Sequence, residues 1–267
     1  MGAAFGLGFV VGPAIGGLLG ELGPRVPFYV AAGVSALNLV YGYFVIPETL
    51  PPDKRRAFDW RRANPFGTFQ VFAKYNGILP ICVVFFIYFF AASVYQAIWP
   101  FWGIAKFGWS ELIVGLTLAA FGIITAIFQG VLSGPLVKRF GENNMVMLGL
   151  IVGVVAATGY GFATSFAVVI VLVVIHGPEG FVHPMLSAIM SKAVPEDAQG
   201  ELQGGISSII SIATLLGTVF FAQLFGYFMQ PGGALISPDV SYFVAAAVLA
   251  LSLVLYIVVQ RRTTAAP

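Results

Sequence analysis

The sequence predicts an all-α integral membrane protein with eight transmembrane helices. Its composition indicates lipid as the solvent, because 59% of its 267 residues are hydrophobic and 9% are charged, far from the usual balance of soluble domains. Apolar runs long enough to cross about 30 Å of hydrocarbon recur along the chain. They cover approximately residues 2–20, 26–46, 77–102, 111–134, 144–163, 166–192, 201–228 and 240–260.

The first span is rich in glycine and contains a proline. Glycines spaced four residues apart drift slowly round one side of a helix, where they allow a neighbouring backbone to approach closely. The proline removes one helical hydrogen bond and favours a bend. We therefore predict tight packing against another helix through a motif of Gly8, Gly12, Pro13, Gly16 and Gly17.

A long polar segment separates the second span from the third. Residues 47–76 are rich in proline and charge, a composition that cannot bury enough apolar surface to fold alone. The segment is predicted to be a loop between two bundles. Helices of the first bundle then lie in residues 1–46, the six helices of the second bundle in 77–262, and a tail in 263–267.

The basic residues are distributed unequally between the two sides of the membrane when the eight spans are joined by alternating loops. Of the 13 Lys and Arg residues, Arg25 and Lys106 fall on one side and the other 11 on the opposite side. Basic residues concentrate in cytoplasmic loops, so both termini and the 47–76 loop are predicted to be cytoplasmic. The outer loops are predicted at residues 21–25, 104–110, around 164–165 and at 230–239.

Enzyme chemistry is not indicated by the sequence. H-E-x-x-H, G-x-S-x-G and Walker-type motifs are missing, and no nearby Cys or Asp would complete a metal site with either histidine. Cys82 lies in an apolar run and is interpreted as a packing residue. We predict no enzyme activity, cofactor, metal or nucleic-acid partner. The composition predicts the lipid bilayer as a partner, and the family resemblance described below adds a small-molecule substrate and protons.

Glu179 is the one acidic residue deep within a predicted span. A carboxylate inside a membrane is costly unless it finds a partner or water, so such residues often mark proton relays. His176, Glu179 and His183 follow i, i+3, i+7 spacing and share one helical face, which predicts a relay. The alternatives are that Glu179 faces water in the outer half of its helix, and that the histidines only bond to neighbouring helices.

Polar and aromatic stripes on the third, fourth and seventh spans are candidates for a substrate cavity. Such a cavity needs aromatic walls with a few hydrogen-bonding groups. The alternative is ordinary packing and hydrogen bonding between helices. The candidates are Tyr88, Tyr95, Gln96, Trp99, Gln129, Gln203, Ser207 and Ser211.

Several separated motifs occur in a fixed order along the chain. After the first-span motif they are Trp99–Gly103 with Phe107, Trp109, Ser110 and Gly115; then Gln129, Gly134, Pro135, Lys138, Arg139, Phe140, Gly141 and Glu142; then Pro184, Ser191, Lys192, Gln199, Gly200, Leu202, Gln203 and Gly204. In this order they resemble the tetracycline/proton antiporter branch of the major facilitator superfamily.

The resemblance implies that the eight spans are helices five to twelve of a twelve-helix fold. Four helices would then precede Met1, and the chain would be a truncated gene product, the result of a mis-assigned start, or a fragment. The implied function is proton-coupled export of tetracycline-like or other small amphipathic compounds by alternating access, across the inner membrane of a bacterium. The alternative is a truncated membrane protein that only packs or binds a partner.

Two positions depart from the family pattern. Tetracycline antiporters carry an acidic residue within the ninth helix, and Gly153 stands at that place. Lys138 stands where the loop motif often has Asp, although the motif residues Arg139 and Gly141 are retained. A carboxylate relocated to Glu179 would restore proton coupling, and the substrate is left open.

Overall fold

The computed structural model describes residues 2–45, 72, 74, 75, 77–195, 198–233 and 235–265. Eight helices occupy almost all of these residues, which confirms the predicted fold class. The predicted loop at 47–76 lies almost entirely outside the described residues. The helices are α1 (Gly2–Gly20), α2 (Val26–Val45), α3 (Ile78–Phe107), α4 (Glu111–Phe140), α5 (Glu142–Phe162), α6 (Phe166–Lys192), α7 (Gln199–Phe228) and α8 (Val240–Ala265).

Most of the described helices are long and apolar enough to cross a membrane. Seven of them, α2 to α8, meet this criterion by length and composition, and the apolar part of α1 that the structure describes is the shorter Val11–Gly20. A chain with this many such helices is a multi-pass membrane protein.

Three helices, α3, α4 and α8, extend further than the sequence predicted, and α8 continues past residue 260 to Ala265. α3 continues through Pro100 to Phe107 and ends at Gly108, whose φ of 68° lies in the left-handed region. Glycine adopts this conformation readily and commonly terminates helices. α4 continues to Phe140 and ends at Gly141, where φ is 80°. The predicted outer loop at 104–110 is therefore mostly helical, and the turn before α5 consists of Gly141 alone.

Helices α3 to α8 form a group in which α3 packs against α7 and α8, while α5 packs against α8 and α6. Its interior has two apolar clusters. One surrounds the first half of α3 and includes Phe85, Leu150 and Leu186. The other surrounds the second half of α3 and includes Trp102 and Tyr160.

The glycine motif of α1 packs against α4, but through fewer of its residues than predicted. Gly17 is buried, and a Cβ atom added there would lie 3.1 Å from the Gly115 Cα. A Cβ atom on Gly115 would lie 2.6 Å from the Pro13 carbonyl oxygen. Added Cβ atoms on Gly8, Gly12 and Gly16 would meet no described atom within 4 Å. The close approach therefore involves the face of α1 that carries Pro13 and Gly17.

Two helices of this group, α4 and α6, are irregular at the place where they contact each other. α4 contains a π-helical segment at Ile127–Leu132, and α6 contains a 3-10 segment at Gly177–Phe181. The two segments contact each other. π-helical segments and broken membrane helices frequently occur at functional sites, because they free backbone groups from the helical pattern.

Candidate functional site

Glu179 lies in the 3-10 segment that interrupts α6, and its side chain is buried. The residue is 4% exposed. Pro178 lacks an amide hydrogen and therefore cannot continue the α-helical hydrogen-bonding pattern. Gly177 allows α4 to approach, because a Cβ atom there would lie 2.4 Å from the Phe128 ring. The local sequence thus places a carboxylate at a break in the helix, between the two halves of the membrane span.

The carboxylate of Glu179 is surrounded by titratable side chains from three helices. His176 Nε2 lies 2.5 Å from Glu179 Oε2, close enough for an ion pair although the alignment falls outside that of a hydrogen bond. The Tyr160 hydroxyl on α5 is 3.2 Å from His176 Nδ1. On α3, Tyr88 is buried, and the Tyr95 ring centroid lies 4.6 Å from that of His176.

Gly153 on α5 lies directly beside this carboxylate. A Cβ atom added to Gly153 would be 2.9 Å from Glu179 Oε2 and 3.0 Å from the carboxyl carbon. The carboxylate of Glu179 therefore occupies the space into which a side chain at position 153 would project.

His183 does not join this group. Its side chain is exposed, and its ring centroid lies 5.7 Å from that of Phe85 and 5.6 Å from that of Phe89 on α3. The prediction that His176, Glu179 and His183 share one face assumed a continuous α-helix. The 3-10 segment turns by about 120° per residue rather than 100°, so the side chains before and after it lose that register.

The substrate-cavity candidates fall into two groups. Tyr88, Tyr95 and Trp99 are buried or half-buried, and Trp99 Nε1 donates to Thr117 Oγ1 at 3.0 Å. The remaining candidates lie on exposed helix surfaces. In two of these the hydroxyl donates to the backbone carbonyl one turn earlier within α7. The exposed candidates are Gln96, Gln129, Gln203, Ser207 and Ser211.

Gln129 connects the two irregular segments. Its Nε2 donates to the Gly180 carbonyl oxygen at 2.9 Å. A Cβ atom on Gly180 would lie 2.9 Å from the same nitrogen, so the glycine allows the amide to reach the backbone. The amide satisfies a carbonyl that the break in α6 releases, and it holds the backbone next to Glu179.

Substituting Gln129 by leucine is expected to lower the free energy of unfolding by about 0.5–1.5 kcal/mol, the usual contribution of one such hydrogen bond. Thermal unfolding of the purified protein in detergent measures the change. Gln96→Leu removes an exposed glutamine from α3 without disturbing the two irregular segments and serves as the control. Equal effects of the two substitutions would show that the Gln129 hydrogen bond does not stabilise the break.

The gating candidates on α4 lie at its end. Arg139 is exposed, and its guanidinium carbon lies 5.3 Å from the centre of the Phe140 ring. Gly141 forms the turn into α5, and its amide donates to the Val137 carbonyl at 2.8 Å. Beside it, Lys192 Nζ lies 2.7 Å from Glu142 Oε1 and joins the ends of α6 and α5.

Sequence reasoning did not connect five further residues, which are Tyr160, Tyr242, Trp102, Asp239 and Lys106. Tyr160 and Tyr242 are completely buried, and Trp102 Nε1 donates to Asp239 Oδ1 at 2.8 Å. Lys106 Nζ donates to the same oxygen at 2.7 Å. A tyrosine in an apolar span is a weak signal, because the same residue type is common at membrane interfaces.

The described residues contain no group of three or more His, Cys, Asp or Glu side chains that could hold a metal ion. The site thus consists of one carboxylate, one imidazole and several phenolic hydroxyls. These groups can hold and transfer protons.

Comparison with known proteins identifies the family. The sequence profile of the Major Facilitator Superfamily matches residues 1–95 and 81–267. The chain belongs to the Major Facilitator Superfamily. The resemblance found in the motifs is confirmed, and membership accounts for the fold of long apolar helices.

Individual members support the same assignment. Class C tetracycline resistance protein of Escherichia coli is 33% identical over 225 residues, covering 84% of this chain and 57% of the relative. The class H protein of Pasteurella multocida is 26% identical over 268 residues, covering 99% of this chain and 65% of the relative. The chain therefore spans less than two thirds of the length of either relative.

A solved structure agrees with the fold. The human organic anion transporter MFSD10 (TETRAN) is 23% identical to this chain and superimposes on it with a TM-score of 0.72. The match covers 96% of this chain and 62% of the transporter chain. At this level of identity the match concerns the fold alone.

Proposed function

We propose that the chain is part of a proton-coupled exporter of tetracycline-like or other small amphipathic compounds. Export proceeds by alternating access, in which two bundles rock about a central cavity. The membrane is the inner membrane of a bacterium, with both chain termini in the cytoplasm. Support for the substrate class comes from the tetracycline resistance proteins that resemble this chain over most of its length.

The observation that carries the proton coupling is the position of the Glu179 carboxylate beside Gly153. The antiporters that this chain resembles have an acidic residue at the position of Gly153. Here the carboxylate reaches the same space from α6, 2.9 Å from where a Cβ atom on Gly153 would lie. Its relocation to the neighbouring helix preserves a carboxylate at the site, although position 153 has no side chain.

The pairing of Glu179 with His176 gives the site a definite proton capacity. One proton shared between the carboxylate and the imidazole leaves the pair with no net charge, whether as an ion pair or as two neutral groups. Removing that proton or adding another leaves a net charge, which is costly inside a membrane. The net charge of the pair therefore changes by one when that proton leaves.

Efflux of labelled tetracycline tests the proposal. Cells carrying the natural gene product that contains this chain should lose preloaded tetracycline faster than cells carrying an empty vector. Collapsing the pH gradient with a protonophore should abolish the difference. Efflux that persists without a gradient would contradict proton coupling. An absence of efflux, with both tetracycline and a panel of amphipathic cations, would favour the alternative of a membrane protein that does not transport.

A further inference from the structure

A line of polar groups runs from Glu179 towards the end of the bundle at which α8 begins. Glu179 pairs with His176, and the Tyr160 hydroxyl lies 3.2 Å from His176 Nδ1. Tyr242 follows, with its ring centroid 5.6 Å from that of Tyr160. The Tyr242 amide donates to the Asp239 carbonyl oxygen at 3.0 Å, so the two residues lie in the same turn at the start of α8. The line thus passes from α6 through α5 to the first turn of α8.

Two tyrosine hydroxyls, one in this line and one beside it, are buried without a hydrogen-bond partner among the described residues. They belong to Tyr95 and Tyr242, whose ring centroids are 6.1 Å apart. The Tyr95 ring centroid also lies 6.0 Å from that of Tyr160. A buried hydroxyl without a partner costs about 1–3 kcal/mol, and ordered water commonly supplies the missing bond. Together the three tyrosines offer the roughly two to four polar partners that one buried water needs.

The line ends at a charged pair near the surface. Asp239 Oδ1 accepts from Lys106 Nζ and from Trp102 Nε1, and the side chains of Lys106 and Asp239 are 16% and 18% exposed. Lys106 also donates to the Gly161 carbonyl oxygen at 3.2 Å. This end of the bundle is the one predicted to face outward. Asp239 therefore has access to solvent, whereas Glu179 is buried.

We propose that Tyr160 and Tyr242, bridged by ordered water beside Tyr95, form a proton path between Asp239 and the Glu179–His176 pair. Along this proton path each hydroxyl accepts a proton on its oxygen and releases its own to the next acceptor, so no net charge stays on a tyrosine. Protons reach Glu179 from the solvent at Asp239. This inference rests on the proposed function, because a proton path serves a transporter that binds protons at Glu179.

Tyr256 provides a matched comparison on the same helix. It is 2% exposed, and its hydroxyl donates to Asn143 Oδ1 at 3.0 Å. The hydroxyl is therefore satisfied, and it lies towards the opposite end of α8 from Asp239. Tyr256→Phe removes a buried tyrosine hydroxyl from the same helix, together with its hydrogen bond to Asn143, and leaves the proton path untouched.

The test compares Tyr242→Phe with Tyr256→Phe in proteoliposomes that contain the natural gene product. Tyr242→Phe should slow transport driven by a pH gradient by about tenfold or more, the loss expected when a proton-transfer group is removed. Substrate exchange without a gradient should stay close to the wild-type rate, because exchange needs no net proton movement. Tyr256→Phe should leave both rates close to those of the wild type.

Several outcomes would overturn the proton path. Gradient-driven transport by Tyr242→Phe at the wild-type rate would show that the hydroxyl carries no proton. An equal loss of exchange and gradient-driven transport would show a structural role. If Tyr242→Phe fails to fold, Asp239→Asn replaces it, since the amide oxygen still accepts from Trp102 and Lys106.

A second readout separates the proton path from the proposed function. The infrared carbonyl band of protonated Glu179, identified as the band lost in Glu179→Gln, is followed after a jump of the external pH. Tyr242→Phe should delay this band by about tenfold or more. A wild-type protein that shows the band but transports no substrate would contradict the proposed function and not the proton path. An undelayed band in Tyr242→Phe would contradict the proton path alone.

Discussion

Glu179→Gln is expected to reduce transport driven by a pH gradient by about 100-fold or more, which is the range for removing a group that binds the transferred proton. Glutamine has nearly the same volume as glutamate and keeps an uncharged polar group beside His176, so packing around the site should be kept. It cannot take up the proton. The measurement is the initial rate of substrate uptake into inverted vesicles energised by an acid interior.

The matched control is Glu201→Gln, which alters an exposed acid in the first turn of α7. It should transport at nearly the wild-type rate. Wild-type rates for Glu179→Gln at every pH would contradict the role of Glu179 as the proton carrier. They would also exclude the 3-10 break of α6 as the coupling site.

The double variant Gly153→Asp with Glu179→Gln tests the relocated carboxylate directly. Gly153→Asp alone should impair transport, because its Cβ atom would lie 2.9 Å from Glu179 Oε2 and two carboxylates would then share one site. In the double variant the acid comes from α5, and transport should recover by about tenfold or more relative to Glu179→Gln, since a proton-binding group is restored. No recovery would show that the two positions are not equivalent.

The number of helices was accessible from the sequence because hydropathy is summed over whole segments. A span of about 20 apolar residues is recognised whatever its neighbours are. The sorting of Lys and Arg between the two sides supports the number of spans. The helix ends were less certain. α3 continues to Gly108 because no helix-breaking residue precedes it except Pro100, which α3 accommodates.

The site could be predicted only in part. Glu179 and His176 were found because they are polar residues in an apolar span, and they lie three positions apart, so a local rule brings them together. Helical periodicity also groups His183 with them, but only because it assumes one regular α-helix. Gly177 and Pro178 indicate that α6 is irregular, but they do not tell how the 3-10 segment reorients the residues after it.

Contacts between distant residues were beyond the sequence. Tyr160 and Tyr242 belong to α5 and α8, and no local pattern relates them. Similarly, Gly8 and Gly12 follow the same spacing as the other glycines of α1, yet Gly17 makes the close contact with α4. Which face of a glycine-rich helix meets a neighbour depends on how the whole bundle is assembled.

That contact leads to the largest expected effect on stability. In Gly115→Ala the new Cβ atom would lie 2.6 Å from the Pro13 carbonyl oxygen and 2.9 Å from the Gly17 Cα. Both neighbours are backbone atoms, so neither can swing aside as the end of a side chain could. The two helices must separate, and the free energy of unfolding should fall by about 1–3 kcal/mol.

Gly115→Val should lower the free energy of unfolding further, because its branched side chain enlarges the same clash. Thermal unfolding of the purified protein in detergent measures both effects. Gly134→Ala on the same helix is the control, since its Cβ atom would meet no described atom within 4 Å. Alanine has a higher helix propensity than glycine, so this control should unfold at the wild-type temperature or slightly above it. If Gly115→Ala is as stable as Gly134→Ala, α1 does not pack against α4 through Pro13 and Gly17.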